Sequence, residues 1–161
     1  MISSSGWPDM SRWIEMLDSE PGANPPRYVA DTSALARLGH HVAVRESLLP
    51  LMREGRVGCA EPTWLEIGLT ARNRHDHAAL GRALGALHRI HVLPADFERA
   101  WEVQAELAAI GQHRGVALPD LLIAACAERL GLTVIHCDAD FDLIAEVTGQ
   151  PTVWAVARDL L

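Results

Sequence analysis

The stretch that most constrains this chain is residues 118–142, LPDLLIAACAERLGLTVIHCDADFD. It reads as a helix, a stop, a strand and an acidic loop. Proline is favoured at the start of a helix, so Pro119 places Asp120 in the first turn. Leu121, Leu122, Ala125 and Leu130 predict the packed face, and Gly131 predicts the stop. Residues 133–137 form a short β-branched strand, bounded by that glycine and by Asp138, Asp140 and Asp142. In open α/β sheets, sites form at the C-terminal ends of the strands. One unit therefore delivers carboxylates from a helix start and from a strand end.

The rest of the chain repeats the alternation. Strands are expected at 27–31, 56–60, 90–93 and 151–156. Helices are expected from Thr32 to about Leu38, then at 42–54, 62–73, 75–88, 95–112 and 141–147, with Gly149 ending the last. The 42–54 helix would bury Leu48, Leu49 and Leu51. The 95–112 helix would bury Phe97, Trp101, Ala105, Leu107 and Ile110. Strands alternating with helices imply parallel pairing, with helices covering the sheet. Residues 1–26 read as an N-terminal extension before one domain at 27–161. Its Ser-, Gly- and Pro-rich ends flank a short helical stripe of Met10, Trp13, Ile14 and Leu17, expected to dock on the body.

A chain of 161 residues can bury a real core as one domain. Its net charge of −7 comes from 21 acids against 14 bases, all of them arginine. That balance argues against a general nucleic-acid binder held by bulk positive charge. It leaves open an enzyme that reaches phosphates through a metal and a few local arginines. Cys59, Cys126 and Cys137 match no zinc spacing, and an odd count suits a reducing compartment. The start, MISSSGWPDM, lacks the basic and apolar regions of a signal peptide. The longest apolar run, 121–127, is too short to span a membrane. A cytoplasmic location is expected.

The acids carry the chemistry. Asp31 ends the first strand, and Asp138 and Asp140 flank the end of the fourth, on the same sheet edge. Asp120 starts the helix before the fourth strand, and Glu66 lies one turn into the helix after the second. Acids converging there repel one another and need protons or a cation at neutral pH. Hard oxygen donors with no His or Cys pattern point to Mg²⁺ or Mn²⁺. Such an ion activates water and clamps a phosphodiester for in-line displacement. Structural roles are open beside these. Asp31 and Ser33 suit a helix cap, and Asp120 suits a helix dipole. Glu66 suits a solvated face, although no arginine lies at i±3 or i±4 to pair with it. One of Asp138 and Asp140 suits a cap for the last helix, and Asp142 a solvated position. Ser33 could instead hold water or a phosphate. His136 reads as a satisfied core histidine, and the eight histidines show no ligand spacing. A calcium loop starting at Asp138 fails at its sixth and twelfth positions, Leu143 and Gly149.

Four segments in order, YVADTSAL at 28–35, WLEIG at 64–68, LPDLLIAACA at 118–127 and VIHCDADF at 134–141, resemble the PIN-domain ribonucleases. The match is to the VapC toxins of toxin–antitoxin pairs. The resemblance implies a three-layer α/β sandwich: a five-stranded parallel sheet of order 3-2-1-4-5 with helices on both faces. It implies Mg²⁺- or Mn²⁺-dependent endonucleolytic cleavage of RNA, often tRNA or rRNA. Asp31, Glu66, Asp120 and Asp138 match the acidic quartet, Asp140 an additional acid, and Ser33 the hydroxyl position. One ion would be held by Asp31, Asp120 and Asp138, with Glu66 and Asp140 as direct or water-mediated ligands. Arg37 and Arg114 are placed to neutralise substrate backbone. The family also implies a homodimer and a VapB-type antitoxin. The 1–26 segment departs from it, since such toxins begin close to the first strand. DADFD is also similar to the Asp-x-Asp-x-Thr/Val motif of haloacid-dehalogenase phosphatases, but its fifth position is Asp142. The alternatives are a non-catalytic binding or regulatory module on the same fold, and a small-molecule phosphatase.

Overall fold

Five short strands make one fully parallel sheet of order β3-β2-β1-β4-β5 in the computed structural model, which describes residues 24–161. The expected helix around Met10, Trp13, Ile14 and Leu17 lies outside the described residues. In chain order the elements are β1 (Tyr28–Ala30), α1 (Thr32–Arg37), α2 (Val42–Arg53), β2 (Val57–Ala60) and α3 (Glu61–Gly68). They continue with α4 (Arg74–Gly85), β3 (His88–Ile90), α5 (Pro94–Ala109), α6 (Leu118–Leu130), β4 (Thr133–His136), α7 (Asp140–Thr148) and β5 (Thr152–Trp154). The chain steps from β1 outward to β2 and β3, then returns to place β4 on the other side of β1. The strand order therefore reverses between β1 and β4, where α/β sheets open a crevice.

Alternation along the strands splits the core into two layers. Ala30, Val57, Cys59 and Ile135 face one side, where Leu35 of α1, Leu48 of α2, Ile67 of α3 and Leu84 of α4 cover them. Val29, Ala60, Ile90 and Val134 face the other, under Leu107 of α5, Ile123 of α6 and Phe141 and Ile144 of α7. The expected three-layer sandwich is present. Gly131 ends α6 with φ 64°, in the left-handed region that disfavours a Cβ. At Gly58 a Cβ would sit 2.6 Å from Ile90 Cδ1, so its absence lets β2 and β3 pair closely.

Two expectations are corrected. The helix placed at 62–73 ends at Gly68, and the next runs from Arg74 only to Gly85. Asn73 is extended, and its side chain accepts from the amides of His75 and Asp76, so the helix restarts there. His88 then belongs to β3, opposite Gly58.

The second correction is the buried face of α5. Phe97 and Trp101 are 60% and 73% exposed, Ala105 and Ile110 are also exposed, and the residues turned inward are Asp96, Ala100, Val103 and Leu107. A charge sets this rotation. Arg129 of α6 donates to Asp96 from Nε and Nη2 at 2.8 and 2.9 Å, and the Leu93 amide donates at 2.7 Å. The Cys126 thiol lies 3.3 Å away. A buried carboxylate needs such partners, and here they are available on only one side of the helix. Along α6, Leu121 and Ala125 are buried as expected, whereas Leu130 is exposed.

Candidate metal centre

The C-terminal ends of β1 and β4 lie side by side, with the Asp31 amide donating to Ile135 O at 3.0 Å. Asp31 caps α1: its Oδ2 accepts from the Ser33 amide at 2.8 Å, as a cap should. Its Oδ1 is buried with no hydrogen-bond partner, and the residue is only 2% exposed. Capping thus occupies one oxygen of the carboxylate and leaves the other without a partner.

Asp120, Asp138 and Asp140 converge, each offering a ligand oxygen, and these atoms all lie within 4.8 Å of one another. Asp120 comes from the first turn of α6 and is 7% exposed. Asp138 follows β4, and its Oδ1 accepts from the Asp140 amide at 3.0 Å, so Asp138 caps the start of α7. Asp140 lies close enough to Asp120 for its charge to bear on that carboxyl. The end of β4 and the start of α7 are tied together by Asp138.

The electrostatics record the crowding. Burial pushes Asp120 up to about 9, and the charges of Asp31, Asp138, Asp140 and Glu66 add to it. Burial raises Asp31 to about 6, against the pull of hydrogen bonds from Ser33. Asp140 is raised by burial and by Asp138. Burial and mutual repulsion thus disfavour the ionised forms of Asp31, Asp120 and Asp140.

The other sequence candidates fall around this group. Glu66 stands outside it, close enough for its charge to bear on Asp31 and Asp120, and accepts a short hydrogen bond from the Thr32 hydroxyl. Ser33 Oγ accepts from the Cys137 amide at 2.9 Å, which staples the turn after β1 to the end of β4. Arg37 donates to Ser33 O at 2.8 Å and brings its charge to bear on Cys137, beside the acids. Arg114 is exposed on the turn between α5 and α6. Asp142 is more than a solvated acid, since it accepts from Trp154 Nε1 at 3.0 Å with Arg158 3.5 Å away. The contact of Thr32 with Glu66 is not foreshadowed in the sequence, because Glu66 is 34 residues away.

The donor set fits a hard divalent cation. Asp120, Asp138 and Asp140 offer carboxylate oxygens at mutual distances a single ion can span, and Asp31, outside that group, keeps an orphaned buried oxygen. The charges that bear most on Asp120 are those of other acids, Asp31, Asp138, Asp140 and Glu66.

The PIN domain family matches residues 28–147. Ribonuclease VapC21 of Mycobacterium tuberculosis is 46% identical over 132 residues, covering 81% of this chain and 95% of that protein. Ribonuclease VapC51 of the same species is 47% identical over 130 residues, covering 81% and 93%. Among solved structures, DNA-bound VapBC from Salmonella typhimurium superposes with a TM-score of 0.67 at 18% identity, covering 81% of this chain and 99% of that one.

Proposed function

The chain belongs to the PIN-domain family and, within it, to the VapC ribonucleases; from that premise we propose that it is a metal-dependent endoribonuclease toxin. It cleaves tRNA or rRNA and is restrained by a VapB-type antitoxin. The observation that carries the reading is the convergence of Asp120, Asp138 and Asp140, whose ligand oxygens lie within 4.8 Å of one another.

Asp120, Asp138 and Asp140 would hold a Mg²⁺ or Mn²⁺ ion, with Asp31 and Glu66 completing the negative shell directly or through water. When bound, the ion supplies Lewis acidity at the scissile phosphate and activates water. The protein supplies the rest by position. Thr32 holds the Glu66 carboxylate in one orientation, so its charge faces the site without a search through rotamers. Ser33 keeps the Asp31 and Asp138 turns in register. Arg37 and Arg114 meet flanking backbone phosphates. That local contact is needed because the net charge of −7 repels RNA at long range. Unpaired loop bases are the preferred substrate, since their edges can be read directly.

The working form is a homodimer. Exposed Phe97 and Trp101 on α5, Leu65 on α3 and Leu69 just past its end are large apolar side chains available to a second protein surface. The site of action is the cytoplasm. In the described residues no helix is long and apolar enough to cross a membrane, and all three cysteines are free and buried.

The test is cleavage of total tRNA and rRNA by purified protein, with Mg²⁺ or Mn²⁺ against EDTA, and wild type against Asp120→Asn. Metal-dependent cutting lost in the variant supports the reading. A folded wild-type protein that binds Mn²⁺ but cuts no RNA moves the assignment to a binding module. Release of inorganic phosphate from small molecules instead would move it to a phosphatase.

A further inference from the structure

The last residue of β4, His136, has no exposed surface at all. Its ring lies between Phe141 and Trp154, with centroids 5.2 and 4.9 Å away. A polar ring in such a place is unfavourable unless its nitrogens are used. Nδ1 is used: it accepts the backbone N–H of Asp138 at 3.3 Å. That bond fixes the tautomer, with the lone pair on Nδ1 and the proton on Nε2. Burial disfavours the charged ring and outweighs the nearby carboxylates of Asp142 and Asp138. Nε2 makes no hydrogen bond, and Asp142 Oδ1 stands 4.0 Å from it.

A phenylalanine would fill the same slot and leave no orphaned nitrogen. What it would lack is the Nδ1 acceptor. The importance of that acceptor shows in the loop that follows. The amides of Cys137, Asp138 and Asp140 are each held by a side chain: Ser33 Oγ at 2.9 Å, His136 Nδ1 at 3.3 Å and Asp138 Oδ1 at 3.0 Å. The middle bond fixes the peptide from which the Asp138 side chain springs. Asp138 then places Asp140 by capping it. A free Asp138 amide would let this peptide rotate and swing both carboxylates.

We propose that His136 is a positioning residue of the metal centre, whose Nδ1 holds the Asp138 backbone so that Asp138 and Asp140 reach one ion together. The proposal rests on the metal reading given above. His136 touches neither substrate nor ion; it acts through Asp138.

The experiment uses the full chain and compares wild type, His136→Asn and His136→Gln. The asparagine oxygen falls where Nδ1 was, whereas glutamine reaches toward the Nε2 position. Mn²⁺ is titrated calorimetrically into each, and melting curves report folding. Supporting contacts around metal ligands are worth about 10- to 100-fold in affinity, so His136→Gln should bind Mn²⁺ about tenfold more weakly or worse. His136→Asn should stay within about threefold of wild type, as its acceptor is kept. A folded His136→Gln with wild-type affinity would overturn the proposal, as would equal weakening in both variants. If neither variant folds, imidazole ¹⁵N spectra of the wild type decide. The Nε2–H tautomer is expected, and an Nδ1–H tautomer overturns the proposal. Wild-type protein that binds no Mn²⁺ would instead sink the metal reading, with the tautomer still deciding whether Nδ1 holds Asp138.

Discussion

Asp120→Asn replaces an ionisable carboxyl of the acid cluster with a group that cannot ionise and changes almost nothing in shape. In the absence of metal it should make the protein more stable. The Asp120 carboxyl is raised to about 9 in the folded protein, first by burial and then by Asp31, Asp138, Asp140 and Glu66. A folded-state pKa above the unfolded one means that the native state holds an extra proton. Its stability therefore falls as pH rises from about 4 toward about 9. At about pH 7.5, keeping that proton costs at most about 5 kcal/mol relative to an unfolded chain that has released it. Water penetration and the effective polarity of the site reduce this, and we expect about 2 kcal/mol. For a chain of this size that raises the melting temperature by about 6 °C. The assay is a melting curve for both proteins in EDTA from pH 5 to 9, repeated with excess Mn²⁺. The gap between variant and wild type should widen with pH in EDTA. It should shrink or reverse with Mn²⁺, because a bound ion stabilises only the site that holds it. A variant less stable than wild type in EDTA at about pH 7.5 would refute the argument that burial and the neighbouring acids penalise an ionised Asp120.

Three further outcomes follow from the contacts. Ser33→Ala leaves the Cys137 amide without its acceptor; urea denaturation should show a loss of about 1–2 kcal/mol, and no loss would mean the staple is not formed. Thr32→Val frees Glu66; RNA cleavage should fall about tenfold while the melting temperature moves little, and undiminished cleavage would remove Thr32 from the site. Asp96→Asn strips Arg129 of its partner; calorimetry should show a loss of about 3 kcal/mol near neutral pH. Burial alone would raise Asp96, but Arg129, the Leu93 amide and Cys126 hold it below the usual carboxylate range. The stability it contributes is therefore present above about pH 4 and lost as pH falls through its lower folded value, so wild type and variant should converge in acid.

The sheet order came from the resemblance of four segments, and the strand–helix alternation came from the residues alone. The acids were legible because strand ends and a proline-marked helix start leave strong local signals at Asp31, Asp138 and Asp120. Glu66 was legible as an acid among apolar neighbours. What stayed hidden depended on partners far along the chain. Nothing near Ser33 announces Cys137, 104 residues on. The face of α5 was misread because Phe97 and Trp101 outweigh Asp96 in any hydrophobic count, yet Arg129, 33 residues later, buries Asp96 instead. The break at Asn73 was hidden because a helical pattern continues through it, and only its side-chain cap shows where one helix stops and the next begins. His136 looked like core filling because its use of Nδ1 is visible only once the Asp138 turn is seen.

The central claim is that carboxylates from the start of α6 and the end of β4 jointly hold one divalent ion. Anomalous diffraction from crystals soaked in Mn²⁺ tests it directly. The account predicts a peak bonded to oxygens of Asp120, Asp138 and Asp140, about 2.2 Å from each, and absent from Asp138→Asn crystals. A peak elsewhere, or none in protein that still cleaves RNA, would contradict it.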